Sequence, residues 1–176
     1  DLDFEKKIRL ALKNNEFEVH YQPMVNASNG EINAIEALVR WNNPELGIVL
    51  PNQFIPIMEK IDLINQLGKW VLTTAIGQTQ ILQKITPTLR LAVNVSGEQL
   101  KNRQFIDTLK TVLTETHFNP HHLELELTET VFIHFNEETL LNILEQVNAL
   151  EVHLCIDNCI KGYDILSRLN NHAIDQ

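Results

Sequence analysis

Cysteine is scarce in this chain of 176 residues: Cys155 and Cys159 are the two present. No disulfide framework can hold such a fold together. The pair also lacks zinc-site spacing and matched histidines nearby, so a metal role for it has no support. No run of about 18 apolar residues occurs, so no segment reads as inserting into a membrane. No signal peptide is visible either. Basic residues are outnumbered, 14 Lys and Arg against 23 Asp and Glu, for a net charge of −9. A nucleic-acid-binding surface usually shows a basic stripe or patch, and an anionic membrane surface attracts basic segments. Neither partner suits this balance. Internal repeats, low-complexity tracts and linkers are missing too. The first residue is Asp1 rather than Met, so residues upstream are expected to have been removed.

What is present is the composition of a soluble globular protein, 44% hydrophobic and 21% charged. It suits a single domain over 1–176 with a sizeable core, expected in the cytoplasm. Leu2 to Lys13 carries a helical stripe of Phe4, Ile8, Ala11 and Leu12, with Asp3 as N-cap and Asn14-Asn15 as stop. Phe17 to Gln22 is rich in β-formers and ends at Pro23, Asn26 to Gly30 reads as a turn, and Ile32 to Trp41 as a second strand. These predict a hairpin. Pro51 opens a helical stretch that Gly68 is expected to interrupt, and Leu63 to Leu82 follows as a long helix pattern. From there strands and helices alternate: Leu89–Val95, Leu123–Leu127 and Val152–Ile156 as strands, Phe105–Thr114 and Glu137–Leu150 as helices, with another helix starting at Tyr163. That rhythm indicates βα units and a parallel sheet of about five strands.

Strands of a parallel sheet are buried on both faces and should read as nearly unbroken apolar runs. The exceptions repeat in position. Glu36 lies within Ile32–Trp41, Asn94 ends the third strand, Glu126 sits near the end of the fourth, and Asp157 and Asn158 end the fifth. Each is an oxygen donor toward the carboxyl end of its strand, the edge where α/β sheets bind ligands. Carboxylates gathered there repel one another and are costly to desolvate unless a cation neutralises them. Oxygen-only donors favour Mg²⁺, Mn²⁺ or Ca²⁺ over zinc, and such a cation in a sheet-edge pocket usually meets a phosphate. A plainer reading stands beside this one. Glu124 and Glu126 alternate with leucines and could face solvent at an edge, and Asp157 could cap a helix.

At this point the residues carry a resemblance. Glu36-Ala37-Leu38, inside Glu36-Ala-Leu-Val-Arg40-Trp41, resembles the sequence that names the EAL domains of bacterial cyclic-di-GMP signalling. Tyr21-Gln22-Pro23 precedes it. Pro51-Asn-Gln-Phe-Ile-Pro56, Leu67-Gly68-Lys69-Trp70-Val71-Leu72, Val93-Asn94-Val95-Ser96 and Glu126-Leu-Thr-Glu129 follow in family order and spacing. The resemblance runs from about Ile8 to Asp175. It implies a TIM-like (β/α) barrel with an N-terminal hairpin, and hydrolysis of cyclic-di-GMP to the linear dinucleotide. It implies Mg²⁺ or Mn²⁺ as cofactor, with Glu36, Asn94, Glu126, Asp157 and Asn158 at the metal-ligand positions. Gln22, Leu38 and Arg40 match positions that touch the dinucleotide.

The chain departs from the family pattern after the fifth strand. The family typically reads Asp-Asp-Phe-Gly-Thr-Gly-Tyr-Ser-Ser-Leu, whereas here the stretch is Asp157-Asn158-Cys159-Ile160-Lys161-Gly162-Tyr163-Asp164-Ile165-Leu166. Asn158 keeps the shape of the second aspartate and loses its charge, so it offers a weaker oxygen to a cation. Ile160 replaces a glycine, and Lys161 adds a cation that either compensates for metal charge or projects into solvent. The chain also ends at Gln176, where the sixth strand of such a barrel should begin, so the barrel is expected to be incomplete. A second copy of the chain is the simplest cover for an open edge, through self-association, with another protein partner as the alternative. The expectation is a signalling module with little or no phosphodiesterase activity that binds cyclic-di-GMP or a protein. An active enzyme and a pure interaction module are the alternatives. Trp41 and Trp70 read as core anchors, His121-His122 as a solvated turn, and His20 and His153 as partly buried strand residues.

Overall fold

The computed structural model describes residues 2–128, 131 and 135–157. It opens with helix α1, Leu2–Ala11, which buries Ile8 and Ala11. Asp3 stands in the first turn rather than at the cap and lies 3.4 Å from Lys7, one turn on. A carboxylate there still complements the helix dipole.

β1 (Phe17–Val25) and β2 (Ile32–Asn43) form the expected antiparallel hairpin, in register from Phe17 opposite Trp41 to Met24 opposite Ala34. β1 does not stop at Pro23. It is an edge strand of the sheet, and an edge tolerates the loss of the amide hydrogen that proline lacks. A strand too short to show periodicity, β3 (Gly47–Val49), pairs with the far end of β2. It brings the strands among the described residues to six instead of five.

Helix α2 (Pro51–Lys60) begins with proline in its first turn, where the missing N–H costs nothing. Helix α3 (Ile64–Gln83) follows, and Gly68 lies inside it. The break between the two helices falls instead at Asp62, whose φ of 58° ends α2. Then come β4 (Arg90–Val95), α4 (Gly97–Lys101), α5 (Phe105–Thr116), β5 (Leu123–Thr128), α6 (Glu137–Asn148) and β6 (His153–Asp157). The sheet order is β1-β2-β4-β5-β6, with β3 on β2, and β2, β4, β5 and β6 run parallel. The alternation read from the sequence is therefore present.

One face of the sheet is apolar. Ile35, Ala37, Leu91, Val93, Val95, Leu125 and Leu127 are buried there, in one cluster with residues of α2, α3, α5 and α6. At roughly 1.5–3 kcal/mol for each large side chain buried, this layer dominates the stability of the fold. Aromatic rings hold the hairpin end. Trp41 is fully buried, with its ring centroid 6.1 Å from Phe17 and 6.2 Å from Phe54, and Trp70 packs beside Phe17 at 6.3 Å. The Trp41 indole Nε1 donates to Glu16 Oε2 at 2.8 Å. Burial pushes the Glu16 carboxyl up, but hydrogen bonds from Trp41, Asn14 and Asn43 outweigh it and leave the group below its usual range.

Tyr21 ties the hairpin to α3. Its hydroxyl donates to Gln78 Oε1 at 2.5 Å, and burial pushes its pKa up from 10.0 to about 12. The folded chain holds a proton that the unfolded chain releases first. This contribution to stability is therefore full below the unfolded value near 10 and is lost as pH rises toward about 12. An ultraviolet difference titration should show a tyrosine ionising well above the ordinary value of 10.0, and Tyr21→Phe should remove that late transition. A Tyr21 that ionises at its ordinary value would contradict the burial assigned to it.

His121 and His122 form a short 3₁₀ turn (Pro120–His122), as expected of a turn. His153 is partly buried, but His20 is exposed beside Glu18, at 3.2 Å, because β1 is an edge. Cys155 is half-buried. No helix among the described residues is long and apolar enough to cross a membrane.

Candidate functional site

The second face of the sheet carries the polar residues. Register places Gln22 opposite Glu36, and Glu36 beside Ala92 of β4. Two residues further along β4, Asn94 stands beside Glu126 of β5. On β6, Cys155 stands beside Glu126, and Asp157 occupies the position beside Thr128. Neighbours in register share a face, and so do residues two apart along a strand. Gln22, Glu36, Leu38, Arg40, Asn94 and Glu126 therefore share one face, on elements far apart in sequence.

Side chains confirm part of this convergence. Asn94 Nδ2 donates to Glu36 Oε1 at 2.7 Å across the β2–β4 boundary. Glu126 is 9% exposed, so the plainer reading of a solvent-facing carboxylate does not describe it. Glu124, one step deeper on the same face, lies 3.9 Å from Arg90. Arg40 is half-buried and donates from Nη1 to the Val39 carbonyl at 2.8 Å. Gln22 is exposed and Leu38 half-buried.

Glu36 is not near the end of its own strand, because β2 outlasts the parallel sheet. Past Ala37, β2 pairs with β1 and β3 alone. Glu36 and Ala37 are thus the last β2 residues paired with β4, at the carboxyl edge of the parallel portion. A cavity of about 630 Å³ touches Glu36, Leu38 and Asn94 at this edge and runs between the apolar face of the sheet and Pro51, Gly68 and Phe105, while Gln22, Arg40 and Glu126 do not line it. That volume lies in the range of small-molecule sites.

The donor set among the described residues is two carboxylates, Glu36 and Glu126, with the amide oxygen of Asn94 between their strands. It suits a hard divalent cation. No group of three or more His, Cys, Asp or Glu among the described residues could hold a metal ion. The Asp157 side chain and all of Asn158 lie outside the described residues, as do Cys159, Ile160, Lys161 and Tyr163.

The EAL domain profile matches residues 5–176. This chain belongs to the EAL domain family. It is 36% identical over 171 residues to the cyclic di-GMP phosphodiesterase PdeR of Escherichia coli K12, covering 97% of this chain and 26% of that protein. It is 38% identical over 160 residues to the bifunctional diguanylate cyclase/cyclic di-GMP phosphodiesterase MucR of Pseudomonas aeruginosa, covering 90% and 23%. The chain thus spans about a quarter of these relatives. Among solved structures it superposes on the PaMucR phosphodiesterase in complex with c-di-GMP with a TM-score of 0.91. That match has 35% identity and covers 99% of this chain and 70% of that one. The TIM-like α/β architecture of the EAL domain is the fold of this chain. Among the described residues the sheet is open, with β1 and β6 at its edges.

Sequence reasoning missed the turn that follows Asn94. Ser96 caps α4, its Oγ accepting from Gln99 N at 3.4 Å, while Gln99 Oε1 accepts from Ser96 N at 3.0 Å. The signal was legible: Ser-x-x-Gln is a capping-box pattern.

Proposed function

We propose that this chain is an EAL domain, single over 1–176, that binds cyclic-di-GMP as a regulatory module and hydrolyses it slowly or not at all. The observation that carries the binding half is the Asn94–Glu36 hydrogen bond beside buried Glu126, on one face at the carboxyl edge of a parallel sheet. Asn158, where the family pattern has aspartate, carries the second half.

In this reading Glu36, Asn94 and Glu126, with Asp157 and Asn158, hold Mg²⁺ or Mn²⁺. A cation bound there supplies an activated water and neutralises charge developing on a phosphodiester. Arg40 takes a phosphate oxygen pair through its planar fork. Gln22 reaches the dinucleotide from the edge strand, and Leu38 offers an apolar surface to a base. Asn158 withholds one negative charge from the cations, which leaves recognition in place and slows the chemistry. A protein partner, a second copy of the chain included, receives the output; sedimentation with and without the dinucleotide tests that step.

Calorimetry with cyclic-di-GMP in Mg²⁺ or Mn²⁺, together with detection of the linear product, tests the reading. Saturable heat with little product is expected. Turnover above about 1 s⁻¹, ordinary for enzymes, would refute the slow-hydrolysis half. Absence of any heat would refute the binding half and leave an interaction module. A second reading, an active phosphodiesterase, draws on the retained positions of Glu36, Asn94 and Glu126 and on relatives named as phosphodiesterases.

A further inference from the structure

The turn that follows β4 packs on α3 through the side chain of Gln99. Gln99 is buried, and its side chain folds back so that Oε1 accepts from the backbone N–H of Ser96 at 3.0 Å. The rest of its amide lies over Gly68 of α3. A Cβ at position 68 would stand 2.0 Å from Gln99 Nε2 and 3.1 Å from Gln99 Cδ. Gly68 has an ordinary helical φ, so this close approach, rather than any special backbone conformation, is what calls for glycine. Ser96 follows β4 directly and stands two residues after Asn94. Asn94 itself is exposed, and its side-chain amide donates to Glu36. What sets the place of its amide is therefore largely the backbone that carries it.

We propose that Gln99 is a positioning residue for Asn94: folded over bare Gly68, it fixes the end of β4 against α3 and holds the Asn94 amide on the Glu36 carboxylate. The importance of this latch rests on the reading of Glu36 and Asn94 as site residues, but its test does not need the ligand. Gly68→Ala is an informative variant. It puts a better helix former inside α3, and it displaces the far end of a flexible side chain rather than backbone. The fold should persist while the latch opens. Gln99→Ala opens the same latch from the other side.

The readout is the side-chain amide resonance of Asn94 in a ¹⁵N-labelled sample. Glu36→Ala defines its shift when the acceptor is lost. Gly68→Ala and Gln99→Ala should each move the resonance in the same direction as Glu36→Ala. The double variant should move it no further than Gln99→Ala alone, since both changes release one contact. Leu144→Ala, a core truncation on α6, should leave it in place. Resonances unmoved in both single variants would overturn the proposal, as would an equal movement in Leu144→Ala. If one latch variant fails to fold, the other decides. Wild-type protein that binds neither Mn²⁺ nor cyclic-di-GMP would sink the functional reading, and the Asn94 shifts would still decide the latch.

Discussion

Asn158→Asp is expected to raise Mn²⁺-dependent hydrolysis of cyclic-di-GMP by at least about 10- to 100-fold. Disturbing even an outer hydrogen bond around a metal typically costs that much in affinity or activity, and a ligand's charge should count for no less. The amide has nearly the size of the carboxylate, so the substitution changes charge and little else. In the proposed reading it adds a further carboxylate to the donor set that Glu36 and Glu126 begin. These side chains would then hold cations more tightly, so a larger share of the protein would carry the ions the reaction needs. Chromatography of the linear dinucleotide, with wild type and variant at equal Mn²⁺, is the measurement. A revertant as inert as the wild type would show that the charge at position 158 is not what limits the reaction. A wild type already as fast as its revertant would select the active-enzyme reading.

The second large effect belongs to Arg40. Arg40→Ala should weaken cyclic-di-GMP binding by about 10- to 150-fold, the equivalent of ~1.5–3 kcal/mol for hydrogen bonds to a charged group. Arg40 is half-buried on the face that carries Glu36, with one guanidinium nitrogen already held by the Val39 carbonyl. That bond restrains the side chain before any ligand arrives, so less freedom is lost on binding. Arg40→Lys keeps the charge and loses the planar fork, and should fall between the two. Calorimetry measures all three, with denaturant unfolding to show that the fold is intact. Equal affinities would mean that Arg40 does not meet the phosphate and that its assignment by family pattern is wrong.

Much of this fold was legible because local signals and tertiary demands agree. Phe17 to Gln22 and Ile32 to Trp41 are rich in β-formers around an Asn-Gly turn, and they pair as read. The alternation after Leu89 reads as βα units because each strand is an apolar run and each helix has a stripe. The misreadings have specific causes. Gly68 looks like a break because glycine is a poor helix former; only the Gln99 side chain above it, 31 positions away in the chain, explains its place inside α3. Pro23 looks like a stop because strand order is invisible locally, and an edge strand tolerates it. Helix α4 has five residues, too few for a periodic pattern, and its capping box was its only mark.

The site was legible as a set of residue types and not as an arrangement. Glu124 and Glu126 are indistinguishable in Leu-Glu-Leu-Glu-Leu. Register separates them, placing Glu126 beside Asn94 and Glu124 one step deeper beside Ala92. The Glu36–Asn94 hydrogen bond joins residues 58 positions apart and depends on the order and register of β2 and β4.

Mn²⁺ binding, followed by electron paramagnetic resonance of the free ion, tests the convergence of these oxygens most directly. The comparison is wild type against Glu36→Gln, Glu126→Gln and Glu124→Gln. The account predicts that the wild type binds the ion, and that Glu36→Gln and Glu126→Gln each weaken binding on the order of tenfold or more. Glu124→Gln, on the same strand and face but beside Arg90, should bind as the wild type does. Equal affinity in all four proteins, or no binding in any, would contradict it.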